Sequence, residues 1–510
     1  MLVERDYILR VFIVGLLDVV SVSTILFTIY LFLIVNTLYD FIIVAVFAVL
    51  VLVSSFFNIY SSMWYYKSYK YEKLYKEKLS KVAPLKVFPT VAIAMPVYNE
   101  DPKIVKNNIE ALLKINYPKE KIKFYVLDDT TDIKNAKQIE EVALKNRIMY
   151  LHRDVRTGYK AGALNNMLKY SNEEFIAIFD SDEKLTNRDF LIDTLPYFRD
   201  KDVAYVQTEK RFQKGNFFSD AVDIFEAFFF KFVQAGRALN NTTIFAGSCG
   251  VIRRSAIDTV GGFPQYVLED TFFSFDSILK GYKNVYIPKN YALGQPLKSF
   301  TALAKQQWRY NYGGTQFIKY FIDAKKENLS KSRKIDYFLH GAGLDYVSIF
   351  LIIFSIVSIG IVFIVKPLPQ LTDISAIVSN PLDILEIMGM IAFIGSFFAP
   401  VVLSGLYFKS YKKGVMVSLL NYALAIIRTK AAIALFLNKE PGHQWNKTDK
   451  RKIKTTLYSI YAAKSEIAFS AFIWIFAYIA INSANFYGGL WLIGYGLLFS
   501  LTAIFIKIYG

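Results

Sequence analysis

Residues 175–182 have the sequence Phe-Ile-Ala-Ile-Phe-Asp-Ser-Asp, a short apolar run closed by two carboxylates. The run from Phe175 to Phe179 predicts a buried strand, because it is short, apolar throughout and rich in residues that favour sheets. In a turn, Asp180 and Asp182 can both approach one hard divalent cation, and Mg²⁺ or Mn²⁺ prefers such oxygen ligands. A turn that caps the next helix is the alternative for the same pair.

Polar clusters also follow other predicted strands. Pro96–Glu100 (PVYNE) follows one apolar run, Asp128–Asp132 (DDTTD) follows another, and a helical pattern lies near Lys103–Lys114. Strands that alternate with helices predict a mainly parallel α/β sheet, and such sheets bind ligands at the carboxyl ends of their strands. The other predicted strands are Thr90–Ala94, Lys123–Leu127 and Ala204–Gln207.

A basic, glycine-containing segment lies between the second and third of these strands. In Arg156–Asn165 (RTGYKAGALN), glycines flank Lys160 just before a helical run. Such a turn lets the backbone approach a phosphate while the lysine adds positive charge. A surface loop is the alternative. The chain has no Walker-type phosphate loop, so P-loop chemistry is not expected.

The composition indicates a soluble part joined to a membrane part. Hydrophobic residues make up 54% of the 510 residues and charged residues still make up 20%, with a net charge of +17. The basic residues flank apolar spans, which favours cytosolic loops next to a membrane and argues against nucleic-acid binding. Cys249 is the only cysteine, so no internal disulfide is possible. His152, His340 and His443 are isolated, and we expect them to be structural.

Six apolar runs are about long enough to cross a bilayer. The connection between the first two has no Lys or Arg, whereas seven lysines follow the second between Lys67 and Lys86, so the segment after it is predicted to be cytosolic. Asp18 lies inside the first run and is given no role. The predicted spans are Val11–Val35, Phe41–Tyr60, Tyr346–Val365, Ile387–Phe408, Ile467–Ile481 and Tyr487–Ile506.

A further run, Gly414–Leu437, contains Arg428 and Lys430 at its middle, and both are costly at a bilayer centre. We predict an amphipathic helix in the membrane interface. Six spans keep the basic loop Lys439–Lys454 on the cytosolic side, and they place both ends of the chain there as well.

Seven short motifs occur in an order that resembles the inverting family 2 glycosyltransferases, and most closely the processive branch of cellulose, hyaluronan, mannan and glucomannan synthases. The resemblance covers roughly residues 90–450. Besides PVYNE and DDTTD, the motifs are GYKAGAL at Gly158–Leu164, DSD at Asp180–Asp182, FAGS at Phe245–Ser248, LED at Leu268–Asp270 and QQWRY at Gln306–Tyr310.

The resemblance implies a fold class: a Rossmann-like α/β domain of the GT-A type, with a mainly parallel sheet, that is cytosolic and inserted between transmembrane helices. It also divides the chain. The predicted domains are residues 1–65 (two transmembrane helices), 66–302 (the GT-A domain), 303–340 (interfacial helices with QQWRY), 341–410 (two transmembrane helices), 411–455 (interfacial helix and gating-like loop) and 456–510 (two transmembrane helices).

The resemblance also implies a role for each motif residue. Tyr98, Glu100 and Asp129 would hold the base and ribose, Lys160 would touch the diphosphate, and Asp180 would contact the nucleotide sugar. Asp182 would ligate Mg²⁺ or Mn²⁺, and Asp270 would be the general base. Phe245, Gly247 and Ser248 would lie near the acceptor, while Gln306, Arg309 and Tyr310 would bind the diphosphate and the acceptor end.

Residues 445–450 (Trp-Asn-Lys-Thr-Asp-Lys) resemble the gating loop of processive synthases, with Trp445, Thr448 and Lys450 at matching positions. A plain surface loop is the alternative. Several positions depart from the family pattern, which makes the identity of sugar and acceptor uncertain and leaves the nucleotide site unaffected. The departures are Leu268 for Thr, Tyr310 for Trp, Trp445 for Phe and Lys447 for Val.

The expected partners are a UDP- or GDP-sugar, a growing glycan or lipid acceptor, and the bilayer of the cell membrane. The expected reaction is a single displacement that inverts the anomeric carbon, in a processive β-glycan synthase that also exports its product. Two alternatives stay open: a non-processive transferase that moves one sugar to a polyprenyl or dolichyl phosphate or another lipid, and a transporter whose soluble part only senses nucleotides.

Overall fold

The computed structural model describes residues 2–364, 397–437, 456–483 and 485–510. Two long helices come first, α1 (Leu2–Leu33) and α2 (Leu38–Glu77). Thr37 caps α2 by accepting a hydrogen bond from the backbone N–H of Asp40 at 3.1 Å. The carboxyl-terminal end of α2 packs into the core of the following domain through Tyr75. The second apolar run therefore continues without a break into the α/β domain.

The α/β domain contains one sheet of eight strands in the order β3-β2-β1-β4-β7-β6-β8-β5. Strands β1 to β4 are parallel neighbours, β7 is antiparallel to both β4 and β6, β6 and β8 are parallel, and β5 is antiparallel to β8. The strands are β1 Val91–Val97, β2 Ile122–Asp128, β3 Met149–His152, β4 Phe175–Ile178, β5 Lys184–Leu185, β6 Val203–Phe212, β7 Gly250–Arg253 and β8 Lys283–Gly294.

Helices cover both faces of this sheet, and short polar caps start several of them. Asp101 accepts from the backbone N–H of Lys103 at 2.9 Å, and Pro102 occupies the first turn. Asp132 caps the next helix in the same way at 2.9 Å. The helices are α3 Pro102–Leu112, α4 Ile133–Lys145, α5 Tyr159–Met167, α6 Phe190–Thr194, α7 Phe217–Phe228, α8 Ala235–Ala238, α9 Arg254–Val260 and α10 Glu269–Leu279.

A π-helical segment, Phe229–Gln234, joins α7 to α8. Its last residue, Gln234, donates to the carbonyl of Ile244 at 2.7 Å and accepts from the backbone N–H of Ile244 at 2.9 Å. The carboxamide therefore holds the chain just before Phe245 as a neighbouring strand would. π-Helical turns are often found at functional sites.

Alternating side chains of the strands form two apolar layers. Ile93 and Ala177 belong to the layer that also contains α3 and α4, whereas Ala92 and Ile176 belong to the layer with α5 and α9. A strand presents successive side chains to opposite faces, so apolar residues on both faces bury most of each central strand. The ends of β1, β2 and β4 are thereby fixed against one another.

The remaining helices form a second part. They are α11 Phe300–Asp323, α12 Lys331–Ile364, α13 Phe397–Phe408, α14 Tyr411–Phe436, α15 Thr456–Ala462, α16 Lys464–Asn482 and α17 Phe486–Tyr509. Among the described residues, four segments are long and apolar enough to cross a membrane: Leu38–Lys81, Tyr411–Phe436, Lys464–Asn482 and Gly488–Tyr509. The shorter apolar helices are Asp18–Leu33, Ser348–Ile364 and Phe397–Phe408. The chain is therefore membrane-associated.

The predicted GT-A-like sheet is confirmed, and its details differ from the sequence-based expectation. It is mixed, with the antiparallel β7 inserted between β4 and β6, and β6 runs to Phe212 instead of ending at Gln207. By length and composition, the predicted interfacial helix around Arg428 is also a candidate span. The predicted span Ile387–Phe408 lies only partly within the described residues, and the gating-loop residues Trp445, Thr448 and Lys450 lie outside them.

Candidate active site

One cavity of about 440 Å³ lies over the carboxyl ends of β1, β2 and β4. It lies where polar segments follow the strands, which is the usual ligand position in an open α/β sheet. The loop before α10 and the first half of α11 close its other side. Eleven of the residues predicted from the motifs line it: Tyr98, Glu100, Asp129, Lys160, Asp180, Asp182, Gly247, Asp270, Gln306, Arg309 and Tyr310.

An arginine and a tyrosine stack at one end of the cavity. The guanidinium of Arg156 lies 3.5 Å from the ring centroid of Tyr98 and 5.1 Å from that of Tyr159. Its Nε is buried and lies 3.7 Å from Oδ2 of Asp129, an ion pair that is too long for a hydrogen bond. A ligand that supplies a hydrogen-bond acceptor to this buried N–H would be bound more tightly, because a buried donor without a hydrogen bond is costly.

The two aspartates of the DDTTD motif have different surroundings. Asp128 is fully buried and accepts hydrogen bonds from the backbone N–H of Thr130 at 3.0 Å and from Tyr150 Oη at 2.6 Å. Asp129 faces the cavity, where Arg153 holds both of its carboxylate oxygens at 2.8 and 2.5 Å. The first aspartate therefore shapes the loop, and the second belongs to the site.

Two lysines hold Asp180. Lys160 Nζ lies 2.5 Å from its Oδ1 and Lys210 Nζ lies 3.6 Å from its Oδ2. Burial alone would raise the pKa of Asp180, but the two lysine charges outweigh burial and hold that pKa well below its usual range. Lys160 also donates to the carbonyl of Gly247 at 2.9 Å. The positive charge of Lys160 therefore lies inside the cavity, between the β4 end and the FAGS loop.

Asp182 has no such cationic partner. Burial, and then the negative charges of Asp180, Glu183 and Glu100, raise its pKa to about 7. Within the described residues, no hydrogen-bond donor contacts its carboxylate, and no group of three or more His, Cys, Asp or Glu side chains is placed to hold a metal ion. A carboxylate in a negative field suits a divalent cation that takes its other ligands from phosphate oxygens and water. The residues present therefore fit Mg²⁺ or Mn²⁺ held by Asp182 together with a phosphorylated ligand.

Asp270 lies in the first turn of α10, opposite the strand ends. Its Oδ1 accepts from the backbone N–H of Thr271 at 2.7 Å, and its Oδ2 lies near the α-carbon of Gly247. Burial raises the pKa of Asp270 above its ordinary value although Lys160 opposes the shift. Burial, with Asp270 beside it, raises the pKa of Glu269 to about 7. Burial and the neighbouring negative charge make this carboxylate pair more basic than free aspartate and glutamate.

The QQWRY segment, Gln306–Tyr310, contributes one helix face to the cavity. Gln306, Arg309 and Tyr310 are three and four positions apart on α11, so they point to the same side. The Oε1 atom of Gln306 is buried, and no described donor bonds to it. The next residue, Gln307, points away from the cavity and is buried among other polar groups.

Two of the predicted acceptor residues do not line the cavity. Phe245 is 1% exposed and packs against Tyr205 with a centroid distance of 5.8 Å. Ser248 is buried, accepts from Lys210 Nζ at 2.6 Å and donates to Glu183 Oε1 at 2.8 Å. The side chains of both residues point into the protein and anchor the two ends of the FAGS loop. Their role in acceptor binding stays a prediction.

Sequence reasoning missed several charged residues of the site, and Lys210 is the clearest case. Strand β6 continues through it, so the period-two alternation puts Lys210 and Phe212 on one face, and both line the cavity. A longer predicted strand would have indicated this. Lys305 and Glu269 also line the cavity, and each is adjacent to a motif residue that was predicted.

A mixed, mostly parallel sheet with carboxylates at its strand ends and a facing basic helix defines a glycosyltransferase domain of the GT-A type. Residues 92–261 match the profile of the family "Glycosyl transferase family 2". This segment is a family 2 glycosyltransferase domain, and the family predicted from the motifs is confirmed.

Curated relatives match about half of the chain. The "Cellulose synthase catalytic subunit [UDP-forming]" of Pseudomonas fluorescens is 34% identical over 240 residues, covering 46% of this chain and 32% of the relative. The "Probable glucomannan 4-beta-mannosyltransferase 11" of Oryza sativa subsp. japonica is 32% identical over 254 residues, covering 47% and 44%. The chain thus spans less than half the length of these relatives.

A solved structure has the same fold. The mannosyltransferase PcManGT from Pyrobaculum calidifontis, in complex with GDP-Man and Mn²⁺, superposes with a TM-score of 0.51 at 18% identity, covering 74% of this chain and 96% of that one. At this identity the likeness establishes the fold alone.

Proposed function

We propose that this chain is a membrane-bound inverting hexosyltransferase that uses a nucleoside-diphosphate sugar. One observation carries the proposal: the strand-end carboxylates Asp129, Asp180 and Asp182 share a single cavity with Asp270 and Arg309 from the opposite side. The relatives are named as a UDP-forming cellulose synthase and a glucomannan mannosyltransferase, which supports a UDP- or GDP-sugar donor.

The nucleoside would lie at the end of the cavity formed by Tyr98 and Asp129. The stacked guanidinium of Arg156 offers a planar surface there, together with a buried N–H that is ion-paired with Asp129 but makes no hydrogen bond to the described residues. Glu100 lines the same cavity, and its charge raises the pKa of Asp182. A base and ribose placed there would direct the diphosphate towards Lys160 and Arg309, the cations needed to hold it.

The reaction would be a single displacement. The acceptor hydroxyl oxygen forms a bond to the anomeric carbon while the bond from that carbon to the diphosphate oxygen breaks, and Asp270 takes the hydroxyl proton. No enzyme nucleophile intervenes, so the anomeric configuration inverts. The raised pKa of Asp270 makes it a stronger base than a solvated aspartate.

The leaving group is a nucleoside diphosphate, and its developing charge needs stabilisation. Lys160 lies at the β4 end, and Arg309 lies across the cavity on α11. Asp182 would hold Mg²⁺ or Mn²⁺, which supplies Lewis-acid charge neutralisation at the diphosphate when bound. The buried Oε1 of Gln306, which has no described donor, would accept a hydrogen bond from a sugar hydroxyl.

The enzyme would be processive, and its product would be a β-glycan of the cellulose or mannan type that is exported as it grows. The named relatives and the apolar helices on both sides of the domain support this proposal. Trp445, Thr448 and Lys450 would form the gating loop on the cytosolic side. A non-processive transferase to a lipid phosphate is the second candidate, because the same cavity would serve it.

The α/β domain would be cytosolic, and α14 would lie along the membrane surface. Met416, Leu420 and Leu424 of α14 pack against Val222 of α7 and Leu303 of α11, all in one apolar cluster. The contact with α7 of the catalytic domain suits an interfacial position, while Ala425 and Ile426 on α14 pack with α12, α16 and α17. Arg428 is also buried against protein groups instead of facing lipid.

A donor screen tests the proposed function. The purified full chain in lipid nanodiscs is incubated with UDP- and GDP-sugars and Mn²⁺, and release of nucleoside diphosphate is followed together with product length. We expect release with one donor and long products. Products of one added sugar would support the lipid-directed alternative, and no release with any donor would contradict the proposal.

A further inference from the structure

A buried polar junction, formed by Glu226, Gln307 and Arg428, lies behind the QQWRY segment. Arg428 of α14 donates to Oε1 of Gln307 on α11 from Nε at 3.1 Å and from Nη2 at 2.7 Å. Gln307 Nε2 in turn donates to Oε1 of Glu226 on α7 at 3.5 Å. One carboxamide therefore connects three helices, of which α7 belongs to the catalytic domain and α14 to the membrane-associated part.

The polar junction is shielded from solvent. Gln307 is 5% exposed and Arg428 is 7% exposed. The guanidinium of Arg428 lies 5.4 Å from the ring centroid of Phe225, and the charge of Glu226 attracts it. A desolvated guanidinium binds its acceptors more strongly than an exposed one, because water does not compete for its N–H groups.

The position of Gln307 gives the polar junction control over the rotation of α11. Successive residues of an α-helix are turned by about 100°. When the carboxamide of Gln307 is held on the outer side, Gln306, Arg309 and Tyr310 are held towards the cavity, which they line. A rotation of α11 by a fraction of a turn would withdraw Arg309 from the diphosphate position.

The helices do not need the polar junction in order to associate. Leu420, Ala423 and Leu424 of α14 pack in an apolar cluster with α7 and α11, and Ala431 packs against Trp308 and Tyr312 further along. Such contacts are non-directional and tolerate small rotations. Hydrogen bonds from a rigid guanidinium fork fix an orientation.

We propose that Arg428 is a positioning residue for the diphosphate part of the donor site. Through Gln307 it holds α11 in the rotation that presents Arg309 to the phosphates, so a residue of the membrane-associated part sets the affinity for nucleoside diphosphate. This inference rests on the proposed function, since it assigns the ligand of the same cavity.

Equilibrium binding to the full chain in nanodiscs tests the inference, with UDP, GDP, UMP and GMP as probes. We expect Arg428→Met to raise the Kd for the preferred nucleoside diphosphate about tenfold. The Kd for the corresponding monophosphate stays within about twofold, because base and ribose bind at the strand ends. Arg428→Lys keeps one donor to Gln307 and recovers part of the affinity. Lys430→Met on the same helix is the control, since the side chain of Lys430 contacts Ser465 and Glu466 instead of the polar junction.

Two outcomes would overturn the inference while the proposed function stands: an unchanged diphosphate-to-monophosphate ratio in Arg428→Met, or equal weakening of both probes. If Arg428→Met does not fold, Gln307→Leu and Gln307→Glu decide the same question. Gln307→Glu retains an acceptor for Arg428, so its diphosphate-to-monophosphate Kd ratio should match that of wild type. Gln307→Leu has no acceptor, so its Kd ratio should shift as in Arg428→Met. Equal Kd ratios in the two Gln307 variants would contradict the inference. A wild-type chain that binds no nucleoside diphosphate contradicts the proposed function itself.

Discussion

The chemistry of the cavity depends on a few carboxylates whose neighbours set their protonation. Asp180 is stabilised as an anion by Lys160 and Lys210, whereas at Asp182 burial and three neighbouring carboxylates outweigh the more distant charge of Lys210. Asp270 and Glu269 are buried side by side on the opposite wall. The surroundings of the three aspartates therefore suit three different roles. Asp180 pairs with lysines, Asp182 would hold a divalent cation, and Asp270 would accept a proton.

Asp182→Ala tests the assignment of the cation. Because Asp182 makes no ion pair within the described part of the chain and lies among other carboxylates, we expect the variant to lose most activity and to lose its response to added Mn²⁺. Initial rates with and without a chelator measure this. Glu141→Gln, which changes an exposed residue of α4, should behave as wild type. Wild-type activity that survives chelation would rule out the metal site.

The pH profile tests the proposed base. Asp270 accepts a proton only when ionised, so kcat/KM should fall as the pH is lowered through its pKa. Since that pKa is raised, the acid limb should lie above pH ~4, the value for a free aspartate. Glu269 has a pKa raised to about 7, so it is already protonated over the range in which Asp270 titrates, and Glu269→Gln should leave the acid limb in place. A limb that disappears or moves in Glu269→Gln would contradict the assignment to Asp270.

Short motifs predicted the carboxylates of the site, but they did not predict the neighbouring groups that shift the pKa values of those carboxylates. Each motif residue follows a strand or begins a helix, so local pattern and resemblance were enough. Lys210, Glu183 and Ser248 form a buried hydrogen-bonded group from three separate elements. Their contacts depend on how β6 and β7 pair, and sequence alone does not give that pairing.

At the scale of elements, the FAGS loop is held by one side chain of β6 and one of α10. Gln207 accepts from the backbone N–H of Ala246 at 2.8 Å and donates to the carbonyl of Ser248 at 3.0 Å. Ser274 accepts from the backbone N–H of Phe245 at 2.8 Å and donates to the carbonyl of Asp270 at 2.6 Å. The loop and the first turn of α10 are thereby fixed together.

Gly247→Ala tests how closely this loop approaches the base. Gly247 has a φ of +79°, and a Cβ there would lie 3.0 Å from Oδ2 of Asp270 and 3.5 Å from Nζ of Lys160. We expect transfer to fall at least about tenfold, equivalent to about 1.4 kcal/mol in the barrier. Steady-state kinetics measures the loss.

Gly261→Ala is the matched control, because Gly261 has a φ of +94° and no atom within 4 Å of the added Cβ. Both variants should lose about 1 kcal/mol of stability, the usual cost of a left-handed conformation for alanine. Only Gly247→Ala should lose activity. Equal activity in the two variants would show that a Cβ at position 247 fits beside Asp270 without disturbing the site.

The order of elements was predictable where strands are long and apolar, and less so elsewhere. Strands β1, β2 and β4 were predicted to within three residues at either end. Strands β5 and β7 have two and four residues, too few for a periodic pattern, and β8 contains Pro288 and Lys289. The antiparallel insertion of β7 follows from long-range pairing, which no local signal indicates.

At the scale of the whole molecule, buried polar contacts join the catalytic domain to the membrane helices. The carboxylate of Asp336 on α12 accepts hydrogen bonds from Tyr60 and Trp64 of α2, from Asn240 at 2.6 Å and from Thr242 at 2.9 Å. Asp336 is fully buried. It therefore connects a predicted transmembrane helix, α12 and the segment that leads to the FAGS loop.

Asp336→Ala should lower the stability of the full chain by about 3 kcal/mol, because several buried donors lose their acceptor. The thermal midpoint of the chain in detergent, followed by intrinsic fluorescence, measures this change. Asp323→Ala, which alters an exposed residue at the end of α11, should leave the midpoint unchanged. Equal midpoints for the two variants would show that Asp336 does not hold these parts together.

The central claim is that carboxylates from separate elements meet around one nucleoside-diphosphate sugar, with Asp270 as the base. The most direct test compares nucleoside diphosphate binding and sugar transfer in wild type and Asp270→Asn. The account predicts that Asp270→Asn binds the nucleotide with wild-type affinity and transfers no sugar. Transfer at the wild-type rate, or loss of nucleotide binding together with transfer, would contradict it.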